Sequence, residues 1–288
     1  MDKKICIITG ANSGIGKEAA RQISESNYHV ILACRSKERG LKALKEIKTN
    51  SLNVSVELMI VDMSLMDSVK YFSKTYKEKY GRLDVLINNA AYFDITQKER
   101  IVTSEGIEKV WATNHLGPVC LAENLISLLK ESKQGRLINV ASKGLLMYPY
   151  LKVNLDDPEF RNRKFSIAKA YYQSKLAQIM YTYWISNKYK DASFTANIIR
   201  VTNVKVDLNR FPNLSDFVKR IYSFKSKFSI SADEMAKTYR YLAVSPDVSN
   251  LSGKYITEKN VAVETSAYSK NKTEIKKVID LTWKYLYN

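Results

Sequence analysis

The sequence predicts an α/β fold in which one parallel sheet, doubly wound, carries helices on both faces. Three observations carry that expectation. Apolar runs alternate with amphipathic stretches from the start of the chain to about residue 200, as in strands buried on both faces and joined by crossover helices. Between the first run, Ile5-Cys6-Ile7-Ile8, and the helix-like Lys17-Glu18-Ala19-Ala20-Arg21 lies Thr9-Gly10-Ala11-Asn12-Ser13-Gly14-Ile15-Gly16. Glycines there let the backbone turn sharply and approach a pyrophosphate, while the helix N-terminus offers unpaired N–H groups and a positive dipole end. No internal repeat, low-complexity tract or proline-rich linker divides the 288 residues, so one domain over 1–288 is expected.

The elements follow in order. The first helix runs to about Asn27, and the second strand, Val30-Ile31-Leu32-Ala33-Cys34, leads into Arg35-Ser36. An acidic side chain ending this strand would accept hydrogen bonds from ribose hydroxyls. Cys34 and Arg35 occupy the place instead, and a guanidinium suits a 2′-phosphate, which favours NADP(H) over NAD(H). The third strand, Val54 to Val61, ends in Asp62-Met63, expected beside the adenine. The fourth, Leu83 to Ile87, ends in Asn88-Asn89-Ala90-Ala91, where small residues leave room for the cofactor and amides can fix the backbone.

A long helix is expected from about Glu105 to Leu129, carrying Trp111-Ala112-Thr113-Asn114-His115. The fifth strand, Gly135 to Val140, ends at Ala141-Ser142. After a long connection with Asp156-Asp157-Pro158 comes Ala170-Tyr171-Tyr172-Gln173-Ser174-Lys175, which reads as helix. Tyr171 and Lys175 are four residues apart and share one helix face. With Ser142 at a strand's C-terminal end, they can meet in the crevice where open α/β sheets bind ligands. Tyr172 is a rival, three residues from Lys175.

The sixth strand is Thr195 to Val201. Residues 209–230 should cover the substrate cleft, with Phe217, Ile221, Phe224 and Phe228 at helical spacing and Lys219, Lys225 and Lys227 largely elsewhere around the helix. Two readings stand: a plain lid, or a basic, aromatic helix that also touches membranes through 216–230 and admits a lipophilic substrate. A helix from Ala232, a seventh strand at Lys254 to Thr257 and a tail over 259–288, with a helix near Thr273 to Leu286, complete the chain.

Composition narrows the function classes. The net charge of +17 invites a nucleic-acid reading, but the lysines are scattered and mixed with glutamates, whereas nucleic-acid binding needs basic residues clustered on one face. Cys6, Cys34 and Cys120 lack metal-ligand spacing and read as small buried hydrophobes in a reducing compartment. No metal site is expected. Only Met1 to Lys4 precede the first strand and no run is long enough to span a bilayer, so a cytoplasmic location is expected. His29 and His115 lack a neighbouring acid or nucleophile in a useful pattern and read as structural.

On Thr9 to Gly16, Asn88-Asn89-Ala90, Asn114, Ser142 and Tyr171-x-x-x-Lys175, the chain resembles the short-chain dehydrogenase/reductase family from Ile5 to about Thr257. Ala33-Cys34-Arg35, Tyr172-Gln173-Ser174-Lys175-Leu176-Ala177 and Ser252-Gly253-Lys254-Tyr255 look most like its NADP-dependent, retinol-dehydrogenase-like and protochlorophyllide-reductase-like branch. The resemblance implies a Rossmann-type sheet of mostly seven parallel strands in the order 3-2-1-4-5-6-7. It also implies an oxidoreductase that interconverts a carbonyl and an alcohol on a small, lipophilic molecule; the sequence leaves the choice between monomer and homodimer open.

By the same resemblance Tyr171 is the general acid/base, made acidic by the Lys175 ammonium, which also holds the nicotinamide ribose. Ser142 stabilises the substrate oxygen, and Asn114 holds a water linking Lys175 to solvent. Gly10, Asn12, Ser13, Gly14, Ile15, Gly16, Arg35, Asp62, Met63, Asn89, Ala90, Tyr171 and Lys175 would bind the cofactor. The family pattern fails after the sixth strand: Val201-Thr202 stands where Pro-Gly belongs and Val206 where a carboxamide-binding threonine belongs. Ala90-Ala91 also carries alanine where glycine is usual. A non-catalytic dinucleotide-sensing or scaffold protein is therefore the competing reading.

Overall fold

Strand β1 (Lys4–Thr9) lies between two neighbours and shows why both faces of the sheet are apolar. Ile5 and Ile7 enter one core while Cys6 and Ile8 enter the other, as the two-residue period of a strand requires. The computed structural model describes residues 3–51, 54–190, 193–205 and 229–287. After β1 come α1 (Gly14–Ser24), β2 (Tyr28–Cys34), α2 (Lys37–Asn50), β3 (Ser55–Ile60), α3 (Met66–Tyr80) and β4 (Val85–Asn88). The next main elements are α4 (Gly117–Glu131), β5 (Gly135–Ser142), α5 (Ile167–Lys188) and β6 (Phe194–Val201). The order closes with α6 (Ala232–Val244), β7 (Tyr255–Ile256), β8 (Ala262–Val263) and α7 (Lys272–Tyr287).

The sheet order is β3-β2-β1-β4-β5-β6-β7-β8. The seven strands expected are all parallel, and β8 adds an antiparallel edge on β7. The order reverses between β1 and β4, which opens a crevice at their C-terminal ends, where such sheets take ligands. On one face Phe72, Leu125, Met180 and Val278, from α3, α4, α5 and α7, pack with Ile5 and Ile7. On the other, Ile23, Ile47 and Tyr239, from α1, α2 and α6, pack with Cys6 and Ile8. Each such side chain contributes about 1.5–3 kcal/mol on burial, so α7 is part of the core rather than an appended tail.

Several boundaries differ from expectation for identifiable reasons. The first helix stops at Ser24, and the chain turns through Asn27 at φ 64°. The long helix does not begin at Glu105: that carboxylate accepts from the N–H groups of Met66 and Asp67 and caps α3. Helical structure starts at Lys109–Trp111, passes through a π-helical turn at Ala112–Leu116 and continues as α4. All three cysteines are free and buried. His29 bonds Ser55 and Tyr80, and His115 bonds Thr282 at 2.8 Å. Val206 and the cleft helix with Phe217, Ile221, Phe224 and Phe228 lie outside the described residues. Among the described residues no helix is long and apolar enough to cross a membrane.

Candidate active site

The glycine turn is shaped by close approach. Gly10 has φ +67°, and a Cβ there would come within 2.9 Å of Ala90 Cα. At Gly16 it would meet Asn89 Nδ2 at 2.5 Å and Gly10 O at 2.8 Å. Asn89 earns that proximity: its Nδ2 donates to Thr9 O at 2.8 Å and its backbone N–H to Thr9 Oγ1 at 3.0 Å, with Ala90 N–H on the same hydroxyl at 2.9 Å. Tyr239 OH donates to Asn89 Oδ1 at 3.1 Å from the far face. Gly14, at φ +56°, has open space where a Cβ would project. Ser13 precedes α1 without capping it through its side chain, and the first turn of α1 holds no acidic residue. Asn12 and Ile15 sit half-buried around this turn. The cradle fits a dinucleotide pyrophosphate: backbone with no room for side chains below, open space above, and an uncompensated positive dipole end.

Arg35 is exposed at the end of β2, and its guanidinium stands 3.9 Å from Asp62 Oδ2 across the end of β3. Asp62 is itself fixed. Its Oδ1 accepts from Ser64 N–H at 2.9 Å and Ser64 Oγ at 2.7 Å, and its N–H donates to Ser68 Oγ. The buried Met63 follows, and its carbonyl lies 2.1 Å from where a Cβ on Gly117 would sit. Only glycine lets α4 approach the segment after β3 there. Sequence reasoning missed Gly117, although a Gly-Pro pair inside an apolar helical stretch was the signal.

Asn114 sits in the π-helical turn, 1% exposed, and clamps the chain beyond β4. Its Oδ1 accepts from Tyr92 N–H at 2.6 Å and its Nδ2 donates to Tyr92 O at 3.0 Å. Both side-chain groups are thus engaged by backbone, and single π turns are frequent at functional sites.

Ser142 closes β5. Its hydroxyl accepts from Gly144 N–H at 3.1 Å and lies beside the Tyr171 phenol, while its carbonyl accepts from Tyr255 OH at 3.1 Å. Helix α5, capped by Ser166, sets Tyr171 and Lys175 one turn apart. Lys175 is 2% exposed; Nζ donates to Val140 O at 2.8 Å and lies 5.6 Å from the Tyr171 ring centroid. The Tyr171 ring packs on Phe93 at 4.5 Å and meets Tyr172 edge-on at 5.2 Å. Phe93 carried no signal in the sequence. Tyr172 itself turns toward Tyr148, 4.7 Å away, and toward Gly144, where a Cβ would be 2.2 Å from its hydroxyl.

Burial pushes the Tyr171 phenol above its ordinary range; Tyr172 adds to this and the neighbouring Ser142 hydroxyl opposes it. Burial pushes Lys175 down to about 8. Lys175 Nζ, to which the resemblance gives the task of strengthening this acid, bonds Val140 O while lying over the Tyr171 ring. Among the described residues no cluster of three His, Cys, Asp or Glu could hold a metal.

The family model described as short chain dehydrogenase matches residues 4–152. Human retinol dehydrogenase 13 is 31% identical over 255 residues, covering 88% of this chain and 75% of the relative. Human retinol dehydrogenase 11 is 31% identical over 279 residues, covering 97% and 84%. The fold is shared with the crystal structure of actinorhodin polyketide ketoreductase with NADPH, at TM-score 0.67 and 21% identity over 89% of this chain and 95% of that one.

Proposed function

From a chain that belongs to the short-chain dehydrogenase family, in its retinol-dehydrogenase-like branch, we propose an NADP(H)-dependent enzyme that interconverts a carbonyl and an alcohol on a lipophilic substrate, with Tyr171 as general acid/base. Membership supports carbonyl/alcohol oxidoreduction as the reaction class. The observation that carries the finer reading is Tyr171 set beside the Ser142 hydroxyl at the end of β5, with the buried Lys175 one helical turn away.

The dinucleotide, when bound, supplies or takes the hydride. The chain's residues do the rest. Tyr171 Oη gives a proton to the carbonyl oxygen in reduction and recovers it in oxidation. A phenol held above its ordinary range is in the proton-donating form at neutral pH, which suits the reductive direction. Ser142 Oγ hydrogen-bonds the same oxygen as charge gathers there. Lys175, with a pKa of about 8, is mostly ammonium at neutral pH and places a positive charge beneath the Tyr171 ring. Asn114 positions the Tyr92 backbone, and Phe93 beside it fixes the ring of Tyr171. Gly10, Gly14, Gly16, Asn89 and Ala90 would hold the pyrophosphate side, and Arg35 the 2′-phosphate, with Asp62 and Met63 near the adenine.

The test is NADPH oxidation across aldehydes, ketones and quinones, with wild type beside Tyr171→Phe. Turnover that depends on Tyr171 supports the proposal. Tight coenzyme binding with no turnover on any carbonyl would favour the dinucleotide-sensing reading, which the Val201-Thr202 departure motivates.

A further inference from the structure

Between α5, the β7–β8 hairpin and α7 the structure holds a cleft of about 760 Å³. That volume is in the range of about 300–1,000 Å³ typical of small-molecule sites. Its apolar lining includes Tyr183, Trp184, Ile275, Ile279 and Trp283. Trp184 and Trp283 meet edge-on at 5.3 Å and both are only half-buried, so two large rings open on the same space.

Four exposed lysines also line the cleft: Lys254, Lys270, Lys272 and Lys276. Two are neutralised, Lys270 by Glu264 and Lys276 by Asp280, each at 2.6 Å. Lys254 and Lys272 have no salt bridge among the described residues, which leaves the lining with an excess of positive charge beside a tryptophan-walled apolar trough. Tyr255 joins this cleft to the crevice, because it lines the one and its hydroxyl bonds Ser142 O in the other.

We propose that the cleft is a second ligand site for a single-chain amphipathic anion of the long-chain carboxylate type. The chain lies against Trp184 and Trp283, and the carboxylate pairs with Lys254 and Lys272. Burial of each methylene contributes about 0.8 kcal/mol, and a charge-assisted bond to an ammonium selects the anionic head. Concavity argues against a bilayer as occupant, since a membrane-binding surface presents its apolar side chains outward as a face rather than lining a trough with them. Two copies of a +17 chain apposed at a lysine-lined cleft would repel.

The probe is bromine-labelled hexadecanoate, titrated into the full chain below its micellar concentration while tryptophan fluorescence is followed. The third tryptophan, Trp111, is 1% exposed and packed in the core. Saturable quenching is expected, lost in Trp184→Phe/Trp283→Phe. Affinity should fall at least tenfold in Lys254→Glu/Lys272→Glu, and by a similar factor when the brominated methyl ester replaces the acid; melting curves confirm that the variants fold. Equal quenching in wild type and charge-reversed protein would overturn the proposal. Quenching that survives loss of both cleft tryptophans places the acid elsewhere and also overturns it. So does quenching by brominated phospholipid vesicles without any by the free acid, which makes the cleft a membrane face. A dimer whose cleft tryptophans are already shielded from acrylamide makes it a subunit contact, with the same consequence.

Discussion

Lys175 Nζ donates to the carbonyl of Val140 at 2.8 Å, which fixes a buried cation two residues before Ser142 on the same strand. Burial holds this ammonium down to about 8 from its ordinary 10.5. The unfolded chain therefore binds more protons than the folded one between those values. The destabilisation from burying the charge is full below pH 8 and relieved as pH rises toward 10.5. Lys175→Met should melt about 2–5 °C above wild type at pH 7, the loss of one hydrogen bond to Val140 offsetting part of the gain. The difference should shrink near pH 10 while turnover falls steeply. Scanning fluorimetry at both pH values checks this, and a variant that melts lower at pH 7 would show that the Val140 bond outweighs the burial.

Tyr171→Phe removes the hydroxyl beside Ser142 and leaves the ring packed between Phe93 and Tyr172. Carbonyl reduction should fall by about 10²–10⁴-fold, the usual contribution of a positioned acid, with NADPH affinity within about twofold. Tyr172→Phe should retain most activity, since its ring is engaged with Tyr148. Single-turnover kinetics with both variants separates the two tyrosines. Reversal of their effects would transfer the role to Tyr172.

What could be read from the sequence is what local chemistry determines. The Thr9–Gly16 turn and the Tyr171/Lys175 spacing need only adjacent residues, and the first six strands announce themselves as apolar runs. What could not be read depends on tertiary neighbours. Gly117 is required because Met63 O lies against it, and Glu105 leaves the helix because α3 offers it two unpaired N–H groups. The direction of Lys175 Nζ toward Val140 is likewise set by the strand it crosses. Strand β8 is two residues long and mostly defined by its pairing to Tyr255 and Ile256, too short for any periodicity.

Arg35 is exposed, and its one ion pair among the described residues is a loose contact with Asp62, so its guanidinium is free to turn to a phosphate without breaking a buried bond. Arg35→Glu should raise the dissociation constant for NADPH by about 10–100-fold, in line with loss of a charge-assisted contact of about 1.5–3 kcal/mol. NADH affinity should stay level or improve. Isothermal titration with both coenzymes checks the expectation, and parallel losses for the two would remove Arg35 from 2′-phosphate recognition.

Gly117→Ala tests whether the approach of α4 to the segment after β3 is as tight as it looks. The new methyl would sit 2.1 Å from Met63 O and 3.1 Å from Met63 C, and these are backbone atoms of the segment following β3, unable to swing aside as a side-chain tip can. Overpacking of this kind destabilises by about 1–3 kcal/mol, so the melting temperature should fall by about 2–10 °C. Because Met63 follows Asp62 directly, a displaced Met63 backbone also shifts the carboxylate next to Arg35, and NADPH affinity should weaken with stability. Gly14→Ala is the control: it meets no atom within 4 Å but forces a left-handed φ of +56° on alanine, which typically destabilises by about 1–2 kcal/mol. The two variants can therefore cost similar stability, but Gly117→Ala alone should disturb the adenine side of the site. A Gly117→Ala protein with wild-type melting and wild-type NADPH affinity would mean that the π-helical turn at Ala112–Leu116 lets α4 slide away from Met63 without penalty.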